Sequence, residues 1–94
     1  MMQSHQTSQT DQQAEYCLDT QGLNCPEPVM LLHRAIRKAN VGERIEVLAT
    51  DPATTRDIPN FCRHLGHGLL LEQHFDDDAT PKYRYVIQKR ADAS

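Results

Sequence analysis

The sequence predicts an α/β (α+β) two-layer sandwich of order βαβαββ, with a four-stranded mixed sheet and two helices on one face. The main observation is the alternation of apolar periods. Segments of strand-like period and segments with apolar residues three and four apart follow one another as strand, helix, strand, helix, strand, strand. The second is length: 94 residues make one small domain with a thin core, which favours two layers. The third is uniformity, since no internal repeat or second composition block is visible.

Residues 1–14 are rich in Gln, Ser and Thr and lack periodic apolar positions, so a disordered polar tail is expected there. The domain is expected over residues 15–90, with a short tail at 91–94. "EYCLDTQG" alternates briefly and stops at Gly22, which suits a first strand. From Pro26 to Asn40 the pattern is helical, with Val29, Leu32, Ala35, Ile36 and Ala39 facing a core and "NVG" closing the helix. "ERIEVLAT" alternates Ile45, Val47 and Ala49 as a second strand.

"DPATTRDIP" opens a second helix, with Asp51 and Thr54 as candidate N-caps and Thr54 with Asp57 as a candidate capping box. Pro59 implies a kink or a late start of its regular part, and Phe61, Cys62 and Leu65 would point inward. "LLLEQHF" and "YRYVIQK" are the last two strands, joined by "DDDATPK" as an exposed hairpin loop.

The formal net charge of −3 and the absence of tryptophan disfavour nucleic-acid binding through phosphate contacts or base stacking. No apolar run reaches membrane-spanning length, and the polar start lacks the pattern of a signal peptide. A cytoplasmic protein without membrane contact is therefore expected. Three cysteines without a CxxC pair argue against a disulfide framework and for reduced thiols.

The chemistry concentrates at Cys25. It precedes a helix, where the helix dipole and unpaired amides stabilise a thiolate. With Cys25 as N-cap, Pro26 takes N1 and Pro28 takes N3, and neither costs an intrahelical hydrogen bond. Pro26 also biases Cys25 away from helical geometry. Glu27 and Val29 then keep the donor amides of the first turn, while the Glu27 carboxylate opposes a low thiol pKa. Pro28 occupies the place of a resolving cysteine, so an adduct on Cys25 would persist. Cys17 and Cys62 lie within apolar periodicity and are expected to be small buried side chains.

Arg34, Arg37 and Lys38 form a basic patch on the first helix, either a solvated face or a docking surface for an acidic partner, with Met30 as an apolar contact. Asp51, Arg56 and Asp57 are read first as caps and surface charges. Alternatively, their loop lies beside Cys25 and shapes its surroundings. Cys62, His64 and His67 follow no standard zinc spacing, and no metal site is expected.

"LDTQGLNCPEPVMLLHRAI", "DPATTRDIPNFCRHLGHGLL" and "YRYVIQK" together resemble the TusA/SirA-like sulfur carrier family over about residues 17–90, with Cys25–Pro26–Glu27–Pro28 as its CPxP motif. The resemblance implies the two-layer sandwich. It implies a sulfurtransferase in which Cys25 accepts sulfane sulfur as a persulfide from a cysteine desulfurase. The sulfur then passes to a downstream relay protein, such as a TusBCD-like complex. In one branch it ends as 2-thiouridine at the tRNA wobble position; others feed molybdenum cofactor assembly or sulfur oxidation. No cofactor is implied, and a monomer is expected. Cys62 matches a cysteine common in the second block, whereas Cys17 and the polar tail fall outside the pattern. A regulatory binding module and a peroxide-sensing thiol are the competing readings of the same residues.

Overall fold

The computed structural model describes residues 14–77 and 80–90. Strands β1 (Tyr16–Thr20), β2 (Arg44–Ala49), β3 (Gly68–Asp77) and β4 (Thr80–Gln88) and helices α1 (Glu27–Lys38) and α2 (Thr54–Leu65) follow in the order βαβαββ. The sheet order is β1-β2-β4-β3; β1 runs parallel to β2, and the other two pairs are antiparallel. The expected tails at 91–94 and over nearly all of 1–14 lie outside the described residues.

The core lies between sheet and helices. On β2, Ile45, Val47 and Ala49 are buried, and they pair across to Ile87, Tyr85 and Tyr83 of β4, which are buried too. Helix α1 contributes Pro28, Leu32 and Ile36, a four-residue spacing that keeps one face inward. Helix α2 does the same with Thr54, Ile58 and Cys62 and runs on through Pro59. On the opposite face of the sheet, Arg84 pairs with Glu46 and donates to Gln73 Oε1 at 3.1 Å, which ties β2, β4 and β3 together.

Several expectations change. Val29 and Phe61 are only half-buried, and Leu65 is 37% exposed rather than in the core. The buried stripe of α2 is 54, 58, 62; Phe61 and Leu65 share a row turned from it by about 100°. Neither expected N-cap operates: Ala53 occupies the position, with no side-chain cap bond. The residues expected as the hairpin loop mostly join the sheet, since Asp76 pairs with Pro81 and Asp77 with Thr80. Their composition reports how side chains meet water, while the ladder is a backbone matter. Pro81 is tolerated because β2 pairs with β4 only as far as Tyr83, so Pro81 has a neighbour on one side only.

Gly66 ends α2 at φ 78°, a left-handed cap that glycine adopts without a side-chain penalty. At the end of α1, Lys89 Nζ donates to Ala39 O at 2.8 Å, a cation where the helix dipole favours one.

Candidate functional site

The parallel strands β1 and β2 end together, with Thr20 beside Ala49. The loops that leave them lead into the first turns of α1 and α2, so both helix N-termini meet at this end of the sheet. The loops are stitched to one another. Thr20 Oγ1 donates to Leu48 O at 2.7 Å, and the Gly22 amide donates to Thr50 Oγ1 at 2.9 Å. The Cys25 amide donates to Asp51 Oδ2 at 2.6 Å, while Asp51 Oδ1 accepts the Ala53 amide at 3.1 Å. One carboxylate thus serves both loops.

Asp51 is itself fixed from the core. Its carbonyl accepts the Thr54 hydroxyl at 2.7 Å, and Thr54 Oγ1 lies 3.0 Å from the buried Tyr85 hydroxyl. The single Thr54 proton goes to Asp51, so Tyr85 donates to Thr54. A chain of hydrogen bonds runs from the middle of the sheet to the backbone of Cys25.

Cys25 is exposed, as expected. Its position differs by one residue from the sequence reading: Pro26 is the N-cap of α1 and Pro28 is N2. The Cys25–Pro26 peptide bond is cis. The Glu27 amide is satisfied by Asn24 O at 2.9 Å, which leaves Val29 as the first-turn amide without a backbone acceptor among the described residues.

The thiol does not face an open helix mouth. Its Sγ donates to Asp57 Oδ2 at 3.3 Å, and Asp57 Oδ1 is 3.3 Å from Arg56 Nε. The hydrogen bond to Asp57 holds the Cys25 pKa above its ordinary value. Desolvation and the negative charges of Asp57 and Asp51 add to this, and Arg56 opposes it. Carboxylates on α2 and the loop before it thus oppose the thiolate stabilisation expected from the helix N-terminus. The reading of these residues as caps and surface charges gives way to its alternative, a loop lying beside Cys25. The expected Thr54–Asp57 capping box does not form, because Asp57 turns to the thiol and to Arg56.

The other predicted residues divide. Met30, Arg34 and Arg37 line one shallow concavity of about 390 Å³ with Val29, His33 and Phe61. Met30 is 58% exposed, and the His33 and Phe61 rings meet edge to face at 5.4 Å. Lys38 lies apart from that concavity, beside Tyr16, Cys17 and Leu31. Cys62 is buried, and burial pushes its thiol up to about 11. Cys17, expected to be buried, is exposed, because it pairs with Glu46 on the face of the sheet away from the helices, while Leu18 and Thr20 pair with the core residues Val47 and Ala49. Among the described residues, no three His, Cys, Asp or Glu side chains form a metal-binding group. No helix of the described residues is long and apolar enough to cross a membrane.

Residues 16–89 match the family model described as sulfurtransferase TusA. The chain belongs to this family. It is 51% identical over 83 residues to a sulfur carrier protein TusA of Pseudomonas putida, a match covering 88% of this chain and 99% of the relative. A sulfur carrier protein TusA of Pseudomonas entomophila is 49% identical over the same coverage. Among solved structures, a SirA-like protein from Desulfitobacterium hafniense superposes with a TM-score of 0.60 at 16% identity, covering 80% of this chain and 99% of that one. That likeness supports the fold of this family member.

Proposed function

We propose that the chain is a sulfur carrier that accepts sulfane sulfur as a persulfide on Cys25 from a cysteine desulfurase and hands it to a downstream relay protein of the TusBCD kind. The delivered sulfur is destined for 2-thiouridine at the tRNA wobble position. The carrying observation is an exposed thiol at the start of α1, in the CPxP motif of a chain that belongs to the TusA family. The donor's persulfide places its outer sulfur against Cys25, and Cys25 Sγ attacks it. A second thiol, on the acceptor, later attacks the same outer sulfur and frees Cys25. Pro26, Glu27, Pro28 and Val29 shape the backbone under the sulfur. Met30, Arg34 and Arg37, which share a concavity with Val29 of the motif's first turn, serve as a docking surface, and Lys38 lies apart from it on the same helix.

The test is mass spectrometry after incubation with a cysteine desulfurase and cysteine. The expected result is one added sulfur on the wild type and none on Cys25→Ser. No gain on the wild type with a competent donor overturns the reading. The pathway is tested separately, by the 2-thiouridine content of tRNA after deletion of the gene. Unchanged content moves the carrier to another sulfur pathway.

A further inference from the structure

Asp57 lies 32 residues from Cys25 in sequence, yet its carboxylate is the group in contact with the thiol. Surface carboxylates rarely sit where a nucleophile has to ionise, because their charge works against the thiolate. A carboxylate within hydrogen-bond reach of a proton that has to leave is, however, placed as a general base. Asp57 is also oriented. Its Oδ2 faces the sulfur, and its Oδ1 is held by Arg56. The Cys25 backbone on the other side is pinned by Asp51.

Building on the carrier reading, we infer that Asp57 is a catalytic residue of the sulfur transfer, accepting the Cys25 proton as Cys25 Sγ attacks the donor persulfide. The Sγ–H bond breaks and its electron pair forms the bond to the donor's outer sulfur. The bond between the donor's two sulfurs breaks, and that pair leaves on the donor cysteine, which takes up the proton from Asp57 directly or through water. A thiol and a persulfide give a persulfide and a thiol, so no oxidant or reductant is consumed. In the reverse sense, the acceptor thiol's proton passes to Asp57, directly or through water, and from Asp57 to Cys25 as the bond between Cys25 Sγ and the outer sulfur breaks.

In water an aspartate is several pKa units too acidic to take a thiol proton readily. Asp57 lines a shallow concavity of about 340 Å³ whose other walls are Val29, Asn60, Phe61, His64 and Leu65. A donor protein seated there covers the carboxylate and the thiol together, which shields the proton transfer from bulk water. In the free carrier the same carboxylate keeps the thiol protonated and slow to react. The charged groups acting on the thiol are Asp57 and Arg56 of α2 and Asp51 of the loop before it, and Glu27 opens α1 next to the motif.

The experiment compares wild type and Asp57→Asn in two rates. One is alkylation of Cys25 by iodoacetamide across pH 6 to 10, read by peptide mass. The other is single-turnover sulfur uptake from a persulfide-loaded cysteine desulfurase. Asp57→Asn is expected to shift the alkylation profile to lower pH and to speed alkylation at pH 7. The same variant is expected to slow sulfur uptake by about a hundredfold. Asp57→Glu is expected to recover part of the uptake. Opposite signs in the two rates distinguish a base from a damping charge or a structural group. Faster or unchanged uptake in Asp57→Asn overturns the inference and leaves the carrier reading intact. Absence of uptake in the wild type overturns the carrier reading itself. Should Asp57→Asn not fold, the decision passes to Asp57→Glu. An uptake pH profile unchanged from wild type then counts against the base, and a shifted one supports it.

Discussion

The hydrogen-bond chain Tyr85–Thr54–Asp51 predicts how much the site depends on the core. Tyr85 is fully buried and Thr54 is 2% exposed, so neither hydroxyl has water as a substitute partner. Tyr85→Phe removes one neutral donor, while Thr54 Oγ1 keeps its bond to Asp51 O, so nothing is orphaned. The expected cost is about 1 kcal/mol, or about 4–8 °C in Tm for a domain of this size. Thr54→Val is more damaging. It leaves the buried Tyr85 hydroxyl without an acceptor, although the Thr54 amide still donates to Asp51 O at 3.0 Å. The expected cost is about 2 kcal/mol. The double variant strands nothing, so its cost should fall short of the sum by about 1 kcal/mol. Urea unfolding followed by circular dichroism measures all three. Alkylation of Cys25 supplies a second readout: Thr54→Val releases a tether of Asp51 and should alter the rate, whereas Tyr85→Phe should not. Additive costs, or a Thr54→Val penalty no larger than that of Tyr85→Phe, would refute the donor assignment.

Three further outcomes are expected. Leu32→Ala empties a fully buried position on α1 and should cost about 2–5 kcal/mol in urea unfolding. Gly66→Ala should cost about 1–2 kcal/mol by thermal melting, because φ 78° disfavours any Cβ, and the new atom would also meet the Arg90 guanidinium at 2.8 Å. Stability should fall at alkaline pH. Burial raises the Cys62 thiol from 9.0 to about 11, so the folded state keeps its proton longer than the unfolded chain. That contribution is intact below about pH 9 and lost as pH rises through 11, about 2–3 kcal/mol in all. Tyr85, raised by burial to about 12, extends the loss further. Cys62→Ala should flatten the decline between pH 8 and 11, and an unchanged slope would remove Cys62 as its source.

The order of elements was readable because period carries it: Leu32 and Ile36 on α1, and Ile45, Val47 and Ala49 on β2, mark faces without help from the rest of the fold, although the α1 stripe begins at Pro28 rather than at Val29. The placement of Cys25 at the start of α1 was readable to within one residue, since two prolines confine where the helix begins. The direction in which the thiol's pKa moves was not readable. It depends on Asp51 and Asp57, which reach Cys25 only because β1 and β2 are parallel neighbours that deliver both loops to one end. No local pattern encodes such a meeting. Exposure of Cys17 and Leu65 was missed for a related reason. An apolar period identifies a face, but which face the helices cover, and how far they reach over its margin, is decided by the assembled fold: Cys17 falls on the uncovered face with Glu46, and Leu65 on the margin of α2.

The pinned backbone at Cys25 sets a limit on traffic. A cysteine side chain is a short arm with one bond to swing about, and a bound sulfur lengthens it by only about 2 Å. Nothing in such an arm lets cargo travel between two distant docking places. On the carrier reading proposed above, a giver and a taker of sulfur each cover the same patch around Cys25, and each shuts the other out. The relay then works by turns rather than by bridging. On that reading, tight binding of the giver delays the taker, which docks only after the giver has left.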